Sequence, residues 1–188
     1  MPRPRNFDEN RAVDAALEAF RATGYEATST QDLCEATGLG RSSIYNTFRS
    51  KHDLFRRALV RYTERLSAEQ RELMAREDLP AREKVRVLLD AARLTAARGC
   101  LLVNTAVELA DRDEEIARLL REDHERRVAG LRAMFESAQR AGEIDGGKDP
   151  HGLALFVLAT VGGMSVSARS GADESALSAI AEMALTAL

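Results

Sequence analysis

Apolar positions recur every three or four residues along almost the whole chain, and no stretch alternates well enough to read as a strand, so the pattern predicts an all-α protein. Val13, Ala16, Leu17 and Phe20 share one face of a first helix over residues 8–23, which Gly24 ends. Ser29 opens a short second helix. Asp32 three residues later makes a variant of the reciprocal cap that usually carries Glu or Gln, and Leu33 and Ala36 are expected to point inward. Thr37-Gly38-Leu39-Gly40 reads as a tight turn, with Gly38 supplying the backbone freedom. A third helix over 41–48 turns Ile44 and Phe48 toward the same small core, and a fourth runs from Lys51 to about residue 76. Further helices are expected over 82–98, 101–110 and 114–140. Asp149-Pro150, a cap followed by Pro at the first helical position, starts another, and a last one covers 173–188.

Two short helices around a Gly-containing turn form a helix-turn-helix unit, whose second helix offers its N-terminal residues to the major groove. The chemistry here suits that task. Arg41 can donate two hydrogen bonds to guanine, and Ser42 and Ser43 are small enough to approach base edges. Ser29, Thr30, Tyr45 and Thr47 carry hydroxyls suited to phosphate oxygens, and Lys51 opens a helix whose N-terminus itself attracts phosphate. The alternative is a structural hairpin in an all-helical interaction protein that binds no DNA. The tail Pro2-Arg3-Pro4-Arg5 either reaches a minor groove or is a free terminus.

Composition narrows the picture. Hydrophobic residues at 45% and charged residues at 30% exclude a disordered chain. The net charge of −3 excludes a generally basic nucleic-acid binder, although residues 1–61 carry +2 and the remainder −5. Two distant cysteines, Cys34 and Cys100, and a polar N-terminus point to a reducing, cytoplasmic setting without a signal peptide. Residues 150–168 hold no formal charge when His151 is neutral. Their apolar centre is shorter than a bilayer span, so a buried helix and no membrane association are expected. The three His and two Cys lack metal-ligand spacing, and there is no phosphate loop and no Gly-x-Ser-x-Gly elbow. No metal, cofactor or enzymatic activity is therefore expected.

The run Gly24-Tyr25-Glu26-Ala27-Thr28-Ser29-Thr30-Gln31-Asp32-Leu33-Cys34-Glu35-Ala36-Thr37-Gly38-Leu39, followed by Ser43-Ile44-Tyr45-Asn46-Thr47-Phe48-Arg49-Ser50-Lys51-His52-Asp53-Leu54, resembles the signature of the tetracycline-repressor (TetR) family. The likeness covers the first quarter of the chain. It implies that Gln31, Arg41, Ser42 and Ser43 face bases, that Tyr45 and Thr47 lie close to DNA, and that Thr28, Ser29, Thr30 and Lys51 contact phosphates. Gly40 stands where the family often has a Ser cap, and Cys34 where Ala is usual, which suggests a small buried residue. The resemblance also implies a DNA-binding domain over residues 1–50 and a ligand-binding and dimerisation domain over 51–188. The function it implies is that of a homodimeric repressor, released from a palindromic operator by an unidentified small molecule.

Several C-terminal residues are candidates for that ligand or for a sensor. Cys100 begins a helix after Gly99, where the helix dipole favours a thiolate, and Asn104 and Glu108 follow at i+4 and i+8. Cys100 is either a thiol sensor, as in some relatives with a similar Gly-Cys-Leu motif, or a packing residue beside a pocket. His124, between Leu120 and Val128, either faces a ligand or is a core histidine, and Phe135 lies further along the same helix. The helix after Pro150 is apolar on nearly every side and must be covered on nearly every side. Phe156, Val157, Val161 and Met164, with Leu177, Ile180 and Ala184 of the last helix, are the expected dimer interface.

Overall fold

The computed structural model describes residues 8–188, and every regular element among them is helical. The tail Pro2–Arg5 lies outside the described residues. Helix α1 (Glu9–Thr23) is capped by Asp8, whose carboxylate accepts the Asn10 N–H at 2.9 Å. In α2 (Thr30–Thr37) both halves of the reciprocal cap form: Asp32 N–H donates to Ser29 Oγ at 3.1 Å, and Ser29 N–H to the Asp32 carboxylate at 2.7 Å. Gly38 ends α2 in the left-handed region at φ +68°. Helix α3 (Arg41–Phe48) starts at Gly40, which has extended backbone and no side-chain cap, and α4 (Lys51–Met74) starts under a Ser50 cap.

Leu17, Phe20, Leu33, Ile44, Phe48, Leu54 and Phe55 make the N-terminal core, with Phe20 and Phe55 meeting edge to face at 5.0 Å. Ala36 differs from expectation. Helix α2 has two turns and one buried ridge, which Leu33 fills, so Ala36 faces solvent and Cys34 is half-buried. This core does not stop at residue 50. It follows α4 to Tyr62 and takes in Leu101, Leu109 and Ile116 from further along the chain.

The second core lies among α5 (Ala81–Thr95), α7 (Glu114–Arg140), α8 (Pro150–Arg169) and α9 (Glu174–Thr186), around Val85, Leu89, Leu131, Phe135, Ala154 and Met164. Pro150 occupies the first turn of α8 under an Asp149 cap. Residues Ala96–Arg98 form a 3₁₀ turn after α5, and Gly99, at φ +78°, redirects the chain into the short α6 (Leu101–Leu109). An added Cβ on Gly99 would stand 2.8 Å from the Arg21 carbonyl, so this crossing needs glycine. By length and composition alone α8 could cross a membrane, contrary to the expectation from its apolar centre. It packs instead along α7 and against α5 and α9, as a helix of the bundle.

Candidate nucleic-acid interface and cavity

The N-terminal end of α3 is presented to solvent. Arg41 and Ser42 are exposed, Ser43 is half-buried, and Gln31, Ser29 and Tyr45 lie on the same exposed module. The Thr30 and Tyr45 hydroxyls are 3.1 Å apart, and the Arg41 guanidinium lies over the Tyr45 ring at 5.8 Å. That Thr30 bond first, then Arg41, holds the Tyr45 hydroxyl below its ordinary pKa. The Lys51 ammonium sits over the Tyr25 ring at 4.5 Å, which fixes where its charge points. Arg56, Arg57 and Arg61 are paired with carboxylates, whereas Arg41, Arg49 and Lys51 have none within salt-bridge distance among the described residues. Among the described residues of the module, Arg11 on α1 shares this lack of a carboxylate, and Arg41, Arg49 and Lys51 lie around α3.

Two of the expected DNA-facing hydroxyls are inside. Thr28 is buried, its hydroxyl donating to the Gly24 carbonyl at 2.5 Å and lying 2.8 Å from the Thr23 hydroxyl. It ties the α1–α2 turn together and offers no hydroxyl to a phosphate. Thr47 is buried on the inner side of α3 beside Ile44 and Phe48.

A large cavity of about 1110 Å³ opens between α4, α5, α6, α7 and α8. Its wall is mainly aliphatic, including Leu66, Leu88, Leu102 and Leu158, and Tyr62, Cys100 and His124 also border it. Burial, then the adjacent Cys100 thiol, pushes Tyr62 up to about 12. His124 is exposed at the cavity rim rather than buried on an apolar stripe. The residue turned inward is its neighbour Asp123, whose side chain is only 2% exposed. Burial raises the Asp123 pKa, against the opposing charges of Arg127 and Arg126. Neither Asp123 nor Arg127 stood out in the sequence, because both look like members of a charged helix surface.

Asn104, Glu108 and Phe135, expected at a ligand, do not border this cavity. Phe135 is fully buried in the second core. Asn104 and Glu108 lie on the other side of α6, at the seam with the N-terminal module. Asn104 donates to the Arg21 carbonyl at 3.2 Å and accepts from Arg169 at 2.8 Å. Glu108 accepts two backbone N–H groups of the α1–α2 turn. Arg21 returns a bond from its Nε to the Gly99 carbonyl at 2.7 Å. His52, at the start of α4, meets Asp113, the cap of α7, at 2.6 Å.

The expected dimer residues divide in two. Val157, Met164, Leu177 and Ala184 are buried within the protomer and cannot form a surface. Val161 and Ile180 are half-buried. Phe156 is exposed, as are the apolar side chains of Leu155, Val166 and Met183, of which Leu155 also borders the cavity. Adjacent helical positions point about 100° apart, so Phe156 and Val157 lie on different faces.

An exposed helix-turn-helix joined through a short seam helix to a bundle with an internal cavity defines a helical regulator with a DNA-reading end. The profile of bacterial regulatory proteins of the tetR family matches residues 12–58, and that of the tetracyclin repressor-like C-terminal domain matches residues 79–184. The chain belongs to the TetR family of bacterial regulatory proteins. It is 34% identical over 185 residues to the HTH-type transcriptional repressor ComR of Escherichia coli, covering 95% of this chain and 88% of ComR. A cysteine mutant of the TetR-family regulator CifR, solved with 26-base-pair operator DNA, is 30% identical with a TM-score of 0.84, covering 98% of this chain and 99% of that one. A TetR regulator from Chloroflexus aurantiacus is 27% identical with a TM-score of 0.82, covering 94% of this chain and 91% of its own.

Proposed function

We propose that this protein is a homodimeric transcriptional repressor that leaves a palindromic operator when a small molecule enters the cavity. The observation that carries this reading is the position of α6. Its Cys100, Leu102, Val103 and Ala106 border the cavity, while its Asn104 and Glu108 hold the first helix and the first turn of the DNA-binding module. A ligand that displaces α6 by a fraction of a turn shifts that module. A coupling of about 1–3 kcal/mol, or roughly 5–150-fold in operator affinity, is the usual scale of such linkage.

In this reading Gln31, Arg41, Ser42 and Ser43 face bases, Tyr45 lies close to DNA, and Ser29, Thr30 and Lys51 meet phosphates. Phe156, with the exposed apolar side chains Val166 and Met183, meets its counterpart on a second copy, and the protein works in the cytoplasm without catalysis. ComR is named a repressor and CifR was solved on an operator, which supports the DNA-binding part of the reading. The test is selection of duplex DNA from a random pool by the full-length protein, followed by a release screen with metabolites. A two-fold symmetric site is expected, and recovery of no preferred sequence would overturn the proposal.

A second reading concerns how the effector is held. Cys100 caps α6, borders the cavity and lies against the Tyr62 hydroxyl, so an electrophile in the cavity meets a thiol at a helix N-terminus. Covalent modification there would act directly on α6.

A further inference from the structure

Two charged side chains of α7 on the cavity wall, Asp123 and Arg127, do not satisfy each other. The Asp123 side chain is 2% exposed and that of Arg127 is 18% exposed, and both border the cavity. Arg127 Nη1 is 3.9 Å from Asp123 Oδ2, and Arg126 Nη2 is 3.8 Å from Oδ1. These separations give charge attraction without a hydrogen bond. The hydrogen bond to the Asp123 carboxylate is a long one, 3.4 Å from the Ser67 hydroxyl, although a carboxylate has about four acceptor sites. Arg127 Nε is buried and has no hydrogen-bond partner among the described residues. A buried acceptor and a buried donor therefore sit side by side, each lacking a close partner, at the edge of an apolar chamber. Leaving such groups unpaired is costly, and a ligand that pairs both recovers that cost.

The chemistry of the head group that fits is restricted. A carboxylate only accepts, so it would pair with the Arg127 guanidinium and be repelled by Asp123. An ammonium only donates, so it would satisfy Asp123 and be repelled by Arg127. A hydroxyl or an amide does both. The remaining charges on the wall favour neither ion, since four arginines and four carboxylates border the cavity in all. We infer that the effector is an uncharged amphipathic molecule, an apolar body carrying a hydroxyl or amide head that bridges Asp123 and Arg127. This inference rests on reading the cavity as the effector site.

The test uses the full-length protein and four probes with one apolar body: 1-octanol, octanamide, octylamine and octanoate. Calorimetric titration is expected to show the alcohol and the amide binding at least about tenfold more tightly than either ion. Two shape-conserving variants should then narrow the gap, each for a different ion. Asp123→Asn removes the repulsion and should improve octanoate by about tenfold, whereas Arg127→Met should improve octylamine by a similar factor. The wild-type ranking needs no variant to fold. If octylamine or octanoate binds wild type as tightly as octanol, the inference is overturned. A variant Ala106→Trp, filling the cavity from α6, separates this failure from failure of the underlying reading. Should all four probes bind equally, be blocked by A106W and lower operator affinity, the cavity is the effector site and the head-group inference alone is wrong. Should no probe bind, or binding leave operator affinity unchanged, the cavity reading falls and the inference falls with it.

Discussion

The Glu108 carboxylate accepts the Tyr25 N–H at 2.7 Å across 83 positions of sequence, and a second bond from the Glu26 N–H at 3.0 Å completes the clamp. Charge-assisted bonds of this kind contribute about 1.5–3 kcal/mol each when both partners are held. Glu108→Ala should therefore lower stability by about 2 kcal/mol in urea denaturation, with Glu108→Gln losing less because it keeps an acceptor oxygen. If α6 communicates through this clamp, Glu108→Ala also lowers the ratio of operator affinities with and without effector. A variant destabilised to that extent with an unchanged ratio would place the communication elsewhere on the seam.

Arg41 and Lys51 should fail differently. Arg41→Ala removes a donor at the exposed start of α3, so specific binding should weaken by about 1–3 kcal/mol with relaxed preference at one base position. Lys51→Ala removes a phosphate-directed charge, so affinity for every sequence should fall and the salt dependence should become shallower by about one unit. Fluorescence anisotropy across a salt series, on matched and mismatched duplexes, distinguishes them. Equal losses on all duplexes from both variants would contradict the base-facing role of Arg41.

Two aspartates, half-buried Asp113 and buried Asp123, give stability opposite dependences on pH. Burial pushes Asp113 up, but the Ile116 N–H and His52 outweigh it and hold its pKa below the ordinary carboxylate value. A lowered folded pKa contributes stability above the ordinary range that is lost as pH falls through the folded value. Asp123 is raised by burial, so its contribution is favourable at low pH and is lost as pH rises through the raised value. Asp113→Asn should thus lower the melting temperature near neutrality, and Asp123→Asn should raise it. Melting curves between about pH 3 and pH 7 for both variants check the signs. A stabilised D123N protein with altered ligand preference would mark Asp123 as a group kept for binding at the expense of stability.

Phe156 and Val157 are neighbours with different expected phenotypes. Phe156 is 42% exposed and Val157 is 1% exposed. Phe156→Arg should leave a folded protomer that no longer dimerises, whereas Val157→Arg should prevent folding by burying an unpaired charge. Sedimentation together with circular dichroism separates the two. A dimeric F156R protein would move the interface away from this face.

Cys100 and Cys34 are both half-buried, so their reactivities are an internal comparison within one chain. Cys100 occupies the position that opens α6, while Cys34 lies inside α2. Alkylation followed by mass spectrometry should find Cys100 reacting faster, with operator affinity falling as it does, and Cys100→Ser should abolish the response. Equal rates at the two thiols would make Cys100 a packing residue beside the cavity.

The features legible in the sequence are those decided by residues within about four positions of one another. The Asp149 cap, the Ser29–Asp32 reciprocal cap, the left-handed Gly38 and the start at Pro150 each follow from local donors, acceptors and backbone freedom. With the 3.6-residue apolar period they determined an all-helical chain, its helix order and the exposed Arg41-Ser42 start of α3. Tertiary structure alone decided which faces of α7 and α8 are used. On α7 the inward residue is Asp123 rather than His124, and on α8 it is Val157 rather than Phe156. One step along a helix is about 100°, and a helix as uniformly apolar as α8 carries no contrast that could choose between faces. The same limit hid the seam. Glu108 with Tyr25, and His52 with Asp113 across 61 positions, meet only because the packing of α6 and α7 on the N-terminal module brings them together. A periodic pattern specifies that a helix forms and that it has an apolar side. The surface that side is pressed against is a property of the whole fold.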